Sequence, residues 1–302
     1  MLRRNVLIFH AAALGDFIVT WPLALALARL YPQSRIYYVT HSQKGALAER
    51  VLRIESSDSE AGWHHLFSET PALPEPAAKL LSNAHTILSF VAASTDRWAE
   101  NVRKLAPEAN LLCVNTAIPP NFTGHVTDWL IEQWRGWPAG HAAAGQILQS
   151  ISSRGLPLAG PDRRIIVLHP GAGSEKKCWP AEQFLELARG LTAAGRSVRV
   201  LLGEAELERW PAGRIKSFEA ACDVRRPNNY VELLEQLFDA AVFVGNDSGP
   251  GHLAGILGVP TVSLFGEADP TRWKPLGPNV TVLTGTPEQL SSQAVTDCVM
   301  RY

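Results

Sequence analysis

Short apolar runs alternate along the chain with longer segments whose apolar residues recur at a helical period. In the N-terminal half, the runs typical of short buried strands are Val6–Phe9, Arg35–Val39, Thr86–Val91 and Leu111–Val114. The helical segments between them include Phe17–Leu30, Gly45–Leu52 and Arg97–Leu105. Because strands alternate with helices, the pattern predicts βαβ units and a parallel sheet.

The alternation begins again after a Gly- and Pro-rich passage at residues 155–161. Strands are predicted at Ile165–Leu168, Val198–Leu202, Val242–Val244, Thr261–Leu264 and Val280–Leu283. Helices are predicted at Ala181–Ala194, Tyr230–Leu237 and His252–Leu257, and the final stretch, 287–302, has the composition of another. We place the linker near residues 150–162 and predict two α/β domains, at residues 1–155 and 156–302, with a ligand-binding cleft between them.

Composition narrows the function classes. A chain of 302 residues fits two domains of about 100–200 residues each. The net charge of −1 disfavours nucleic acid as a partner. The four cysteines are scattered without a C-x-x-C pair, which disfavours a disulfide framework or a zinc site and fits a reducing, cytoplasmic location.

The N-terminus admits two interpretations. Arg3 and Arg4 followed by the apolar run Val6–Leu14 loosely imitate a signal peptide. The alternative is a buried first strand at Asn5–His10, which we favour because His10 interrupts the apolar run and cleavage would remove the opening strand. No apolar stretch reaches the roughly 18–20 residues that span a bilayer.

The turn after the first strand carries Gly15 and Asp16 at the start of a helix. Glycine lets a ligand approach the backbone closely, and a carboxylate here can act as a general base toward a sugar hydroxyl. The alternative is that Asp16 only caps the helix, which stabilises it by about 0.5–2 kcal/mol, and the motif alone favours capping. The dinucleotide fingerprint G-x-G-x-x-G is absent.

A second turn follows the strand Ile165–Leu168. It reads His169-Pro170-Gly171-Ala172-Gly173-Ser174 and continues through Lys176 and Lys177 to Trp179-Pro180. Small residues let backbone N–H groups face an anion, and the lysines add positive charge, so a diphosphate is the natural ligand. An ordinary glycine turn with solvated lysines explains the segment equally well, and both interpretations stay open.

A third turn, Gly245–His252, lies between the strand Val242–Val244 and a helix. Asp247 and Ser248 can cap that helix, and its N-terminus together with the Ser248 hydroxyl can bind a phosphate oxygen. A histidine such as His252 is by itself more often structural than catalytic. Three turns of this kind in one chain favour a shared ligand.

Together the turns resemble the ADP-heptose:lipopolysaccharide heptosyltransferases, glycosyltransferase family 9. The family's L-G-D turn occurs as Leu14-Gly15-Asp16, with Pro22 at its helix proline. Its H-P-G-A…K-x-W-P segment occurs as His169–Ala172 and Lys177–Pro180. Its D-[ST]-G-P-x-H-L-A segment occurs as Asp247–Ala254, and Pro260-Thr261 through Phe265-Gly266 also fits.

The resemblance implies a GT-B fold of two facing Rossmann-like domains, the N-terminal one on the acceptor side and the C-terminal one holding the donor. It implies Asp16 as the catalytic base, Lys177 as the residue that pairs with the donor diphosphate, and Glu206 of a G-x-x-E turn on the ribose hydroxyls. The remaining donor-binding residues that it implies are Gly15, Gly171, Ala172, Gly173, Ser174, Asp247, Ser248, Gly249 and His252.

The implied reaction is inverting transfer of a heptose or related sugar from a nucleotide diphosphate, such as ADP-heptose, to a lipopolysaccharide-type or other glycan or glycolipid acceptor. No cofactor or metal is expected, because Lys177 and backbone N–H groups can stabilise the leaving diphosphate and no D-x-D motif is present. Such acceptors would bring a cytoplasmic enzyme into peripheral contact with the inner membrane face.

The chain departs from the family pattern before its first turn. His10 stands where the family often has Arg, and residues 11–13 are all Ala. These departures motivate a second hypothesis, a catalytically silent nucleotide-binding homologue. A third hypothesis is a nucleotide-sugar epimerase on a similar two-domain fold.

Overall fold

The computed structural model describes residues 4–156, 163–174, 178–286 and 289–302. The chain divides into two compact units, Met1–Leu148 and Gln149–Tyr302. The described residues of each unit form a parallel sheet with helices, which confirms the predicted α/β class. Among these residues, no helix is long and apolar enough to cross a bilayer.

The first unit has a five-stranded parallel sheet in the order β3-β2-β1-β4-β5. Its strands are β1 Asn5–Phe9, β2 Arg35–Thr40, β3 Glu55–Asp58, β4 Ala84–Ser89 and β5 Asn110–Cys113. Its helices are α1 Leu14–Val19, α2 Trp21–Leu30, α3 Ser42–Leu52, α4 Glu75–Ser82, α5 Arg97–Leu105, α6 Val126–Glu132 and α7 Pro138–Arg154, with a 3-10 helix at Trp63–Phe67. The central strand β1 is fully buried, and the Phe9 ring packs edge-on against Trp63 and Trp98.

Three features of this unit differ from the sequence prediction. The single helix predicted at Phe17–Leu30 is two helices, because α1 ends before Thr20 and Pro22 lies in the first turn of α2, where its missing N–H is tolerated. Strand β3 was not predicted because its sequence, Glu-Ser-Ser-Asp, is polar. Residues 150–154, predicted as linker, continue helix α7, whereas residues 157–162 lie outside the described part of the chain.

The second unit has a six-stranded parallel sheet in the order β11-β10-β9-β6-β7-β8. Its strands are β6 Ile165–His169, β7 Ser197–Leu201, β8 Asp223–Arg225, β9 Ala240–Asn246, β10 Thr261–Phe265 and β11 Val280–Thr284. Its helices are α8 Ala181–Ala193, α9 Glu204–Arg209, α10 Ala212–Glu219, α11 Tyr230–Gln236, α12 Gly249–Ile256, α13 Pro270–Trp273 and α14 Ser292–Val299.

The hydrophobic core of the second unit explains which of its strands could be predicted from the sequence. Strands β6 and β9 are apolar and buried, so the hydrophobic pattern identifies them. Strand β8 was missed because it has only three residues, two of them charged and exposed. Helix α14 lies within the predicted C-terminal helix and packs its buried Val295 and Val299 into this unit's own core.

Candidate functional site

Asp16 lies in the first turn of α1, at the carboxyl end of the central strand β1. The N-cap of this helix is Ala13, so the expectation that Asp16 is the capping residue is wrong. Both Gly15 and Asp16 are partly exposed. A carboxylate in the first turn also interacts favourably with the helix dipole, by about 0.3–1 kcal/mol at an exposed position. The position of Asp16 therefore leaves its carboxylate accessible for chemistry.

His10 is buried just before this turn. Its pKa falls to about 3, first because burial disfavours the charged ring and second because Lys44 is nearby, while a hydrogen bond with the Asp16 backbone acts in the opposite direction. Its Nδ1 atom has no hydrogen-bond partner among the described residues. His10 is therefore neutral at physiological pH. Sequence reasoning missed Lys44, because residues on different βα units carry no spacing signal for a contact.

A cavity of about 450 Å³ opens at the carboxyl ends of β4 and β5. Of these two strands, β4 is the neighbour of β1 in the sheet. The lining of the cavity combines apolar residues with the acidic Asp96 and four uncharged polar residues, Ser94, Asn115, Thr116 and Gln133. Asn115 and Gln133 hold each other through two hydrogen bonds, Asn115 N to Gln133 Oε1 at 2.8 Å and Gln133 Nε2 to Asn115 O at 2.9 Å. Such a wall can recognise hydroxyl groups.

In the second unit, the turns after β6, β7 and β9 meet at one edge of the sheet. These three strands are neighbours in the order β9-β6-β7, and all are parallel. Ligands of open parallel sheets bind at this edge. The structure therefore brings together the predicted residues of the Gly171–Ser174 turn, Glu206 and the Asp247–His252 turn.

Glu206 is buried between two of these turns. Its Oε2 accepts a hydrogen bond from the Gly203 N–H at 2.8 Å. On the other side it faces Gly171 so closely that a Cβ atom there would lie 2.2 Å from Glu206 Oε1. Only glycine leaves room for this carboxylate at the end of β6. His169 at the end of β6 fixes its ring by a 3.0 Å hydrogen bond between Nδ1 and the Leu201 carbonyl, and burial lowers its pKa.

A cavity of about 310 Å³ adjoins Glu206, within the size range of small-ligand pockets. Gly171 and Ala172 line one side. The Trp210 ring lines the other, with the Arg214 guanidinium 5.4 Å from its centroid. Sequence reasoning did not find this aromatic and cationic wall, because the two residues belong to segments after the recognised G-x-x-E turn.

Asn246 joins two turns and was also missed. Its Nδ2 donates to the Pro170 carbonyl at 2.7 Å, and its Oδ1 accepts from the Trp179 N–H at 2.8 Å. Asn246 is fully buried, and Trp179 is anchored further by a hydrogen bond from Nε1 to the Leu290 carbonyl. This one amide therefore ties both ends of the second turn to the third. Lys177, between those ends, lies outside the described residues.

The third turn combines an N-terminal helix end with buried polar groups. Ser248 occupies the N-cap position of α12, as predicted, but its side chain makes no capping hydrogen bond, and Asp247, the other predicted cap, precedes that position. The Ser248 hydroxyl is buried and has no hydrogen-bond partner in the described part of the chain. Gly249 begins the helix, and the buried Asp247 and His252 approach to 3.9 Å between Oδ1 and Nε2. The Ser248 hydroxyl is thus suited to an anionic ligand.

The described residues contain no cluster of three or more His, Cys, Asp or Glu side chains that could hold a metal ion. The site chemistry that they offer is instead carboxylate, hydroxyl, imidazole and backbone N–H.

Comparison with known proteins shows which family this chain belongs to. The model of glycosyltransferase family 9 (heptosyltransferase) matches residues 102–302, two thirds of the chain. The chain belongs to this family. The resemblance that the three turns predicted is therefore confirmed.

Two lipopolysaccharide heptosyltransferases match this chain over shorter segments. Lipopolysaccharide heptosyltransferase 3 of Escherichia coli is 26% identical over 42% of this chain and 38% of its own length. Lipopolysaccharide heptosyltransferase 1 of Pseudomonas aeruginosa is 36% identical over 37% of this chain and 31% of its own length. The matched segment thus spans well under half of each relative.

The fold extends further than the sequence match. The solved structure of E. coli heptosyltransferase WaaC with ADP superposes with a TM-score of 0.70 over 98% of this chain and 99% of that chain, at 16% identity. This similarity confirms the predicted GT-B-like fold of both units.

Proposed function

We propose that this family 9 member transfers a heptose or related sugar from an ADP-linked donor to a lipopolysaccharide-type acceptor, with inversion at the anomeric carbon. The observation that carries the proposal is the meeting of the turns after β6, β7 and β9 around the buried Glu206 carboxylate and the buried Ser248 hydroxyl. The names of the relatives, which are lipopolysaccharide heptosyltransferases, support the sugar and the acceptor.

Glu206 and the glycine turn account for the nucleoside end of the donor. A buried carboxylate that accepts one backbone N–H still has lone pairs for the two ribose hydroxyls. The solved relative with ADP supports an adenine nucleotide. The adjoining cavity, lined also by Trp210 and Arg214, has room for the rest of the nucleoside.

The diphosphate is assigned to the second and third turns. Backbone N–H groups of the Gly171–Ser174 turn, the N-terminus of α12 at Ser248 and Gly249, and His252 beside Asp247 provide hydrogen-bond donors. Lys177 is proposed to pair with the same phosphates. These donors would stabilise the charge that builds up on the leaving ADP, so no metal is required for the step.

The acceptor is assigned to the first unit. Its hydroxyl loses a proton to the Asp16 carboxylate as its oxygen attacks the anomeric carbon, and the bond from that carbon to the diphosphate oxygen breaks on the opposite face. The products are the inverted glycoside, ADP and protonated Asp16. The cavity lined by Asn115 and Gln133, at the sheet edge next to β1, is suited to hold sugar hydroxyls of the acceptor. A lipid-linked acceptor implies work at the cytoplasmic face of the inner membrane.

A single assay tests this function. The full chain is incubated in EDTA with ADP-heptose and a lipopolysaccharide core acceptor lacking the terminal heptose, and ADP release and heptosylated product are measured. We expect both products, only when acceptor is present. No product with preserved ADP binding would favour the silent homologue. A converted nucleotide-sugar without acceptor would favour an epimerase, and activity restored only by magnesium or manganese would refute metal-independent transfer.

Substitution of Gly171 tests the nucleoside site. Gly171→Ala places a methyl group against the Glu206 carboxylate and displaces it, whereas a Cβ at Gly190, in helix α8 of the same unit, meets nothing within 4 Å. Hydrogen bonds to a charged group contribute about 1.5–3 kcal/mol, so calorimetry should show ADP affinity reduced by about 10- to 150-fold in Gly171→Ala. Gly190→Ala should bind ADP nearly as the parent does. Equal affinities in both variants would remove Glu206 from the nucleotide site.

A further inference from the structure

Lys44 connects helix α3 to the loop that precedes Asp16. It is buried, and its Nζ donates to the Ala12 carbonyl at 2.5 Å and the Ala11 carbonyl at 3.4 Å. Lys44 lies in the first turn of α3, after β2, while the two carbonyls follow β1. The three alanines of this loop have no side-chain polar atoms, so the Lys44 ammonium supplies hydrogen bonds that the loop's own side chains cannot make.

Burial of a lysine is unfavourable unless other groups compensate it. Burial lowers the pKa of Lys44, and the Asp16 carboxylate opposes this effect because opposite charges stabilise each other. Two backbone carbonyls that accept from Nζ also favour the ammonium form. The geometry thus holds a positive charge in the first unit close to Asp16.

The neighbouring groups show what this charge does. His10, directly after β1, hydrogen-bonds to the Asp16 backbone but is neutral, since burial and the Lys44 charge both lower its pKa. Two titratable groups that act on Asp16 are Lys44 of α3, which is charged, and His10, which is not.

We propose that Lys44 is a positioning residue for Asp16: its ammonium anchors the Ala11–Ala13 loop, from which α1 begins, and stabilises the negative charge of the Asp16 carboxylate. The inference rests on the proposed function for its catalytic meaning. The alternative is a purely structural tether, in which the hydrogen bonds to the loop matter and the charge does not.

Two substitutions of Lys44 separate the effect of its positive charge from the effect of its hydrogen bonds to the loop. Lys44→Met removes both, whereas Lys44→Gln removes the charge and retains an N–H donor for the loop carbonyls. Lys104→Met, at an exposed lysine of α5 in the same unit, is the matched control. The readouts are the Asp16 carboxyl titration, followed by NMR on protein with 13C-labelled aspartate and assigned with Asp16→Asn, and the pH profile of transfer.

We expect the Asp16 titration midpoint to rise by about one pH unit in both Lys44→Met and Lys44→Gln, since loss of an adjacent opposite charge disfavours the carboxylate. The acid limb of the kcat/KM profile should move up by the same amount, and kcat should fall about 10-fold or more in Lys44→Met, with ADP affinity of the second unit unchanged. Lys104→Met should behave as the parent in every measurement.

An unchanged midpoint in a folded Lys44→Gln protein would overturn the proposal, whatever happens to activity, and would leave a structural tether. A shifted midpoint in a chain whose parent transfers no sugar would support the Lys44–Asp16 pairing and count against the proposed function. The titration needs no substrate, so the two failures are distinguishable.

Discussion

Asp16→Asn should reduce turnover by about 10²- to 10⁴-fold, the usual effect of removing a general base. The amide has the shape of the carboxylate but cannot take the acceptor proton. ADP affinity should not change, because the residues assigned to ADP lie on the second unit. The melting temperature should fall by no more than the loss of the attraction between Lys44 and Asp16 and of the helix-dipole interaction, because the N-cap of α1 is Ala13 and not Asp16.

Asp128→Asn provides the matched control. Asp128 occupies the third position of α6, as Asp16 does in α1, and it is exposed in the same unit. Both substitutions remove a first-turn carboxylate and its favourable interaction with a helix dipole, so any common loss of stability is measured by Asp128→Asn. Parent-like turnover in a folded Asp16→Asn protein that binds ADP normally would remove Asp16 from the chemistry.

Strands and turns were predicted correctly from the sequence where apolar residues, or small residues and glycine, determine the local structure. The buried strands β1, β6 and β9 are largely apolar runs, and small residues or glycine occur within a few residues of the end of each, ahead of the next helix. That arrangement located three candidate ligand turns without any knowledge of tertiary contacts. Strands β3 and β8 escaped because they are short and largely polar, so no hydrophobic period marks them.

The residues that hold the site together could not be found in the same way. Lys44 bonds to carbonyls 32 and 33 residues earlier in the chain, and Asn246 bonds to groups 76 and 67 residues away. Such pairs depend on which strands become neighbours in the sheet. The sequence alone identified the residues that carry reactive groups. The residues that orient them could be identified only once the order of the strands in each sheet was known.

Asn246→Ala should cause the largest loss of stability among the substitutions considered for the second unit. It leaves the Pro170 carbonyl and the Trp179 N–H without their side-chain partner, in a fully buried position. Each buried polar group left unsatisfied costs about 1–3 kcal/mol, so the free energy of unfolding should fall by about 2–6 kcal/mol. Urea unfolding monitored by tryptophan fluorescence measures this loss, and ADP affinity should fall with it because both ends of the second turn are released.

Asn246→Asp and Asn228→Ala test whether the two Asn246 hydrogen bonds cause the loss of stability. Asp keeps an oxygen for the Trp179 N–H but turns the donor facing the Pro170 carbonyl into a second acceptor, so two oxygens meet where one hydrogen bond was. Asn228 is exposed and bonds only locally, to Glu232, so its loss should cost less than about 0.5 kcal/mol. If Asn246→Asp unfolds at the parental urea concentration, the bond to Pro170 contributes nothing. Stability lost in Asn246→Ala would then come from the bond to Trp179 alone, and the two ends of the turn would be held independently.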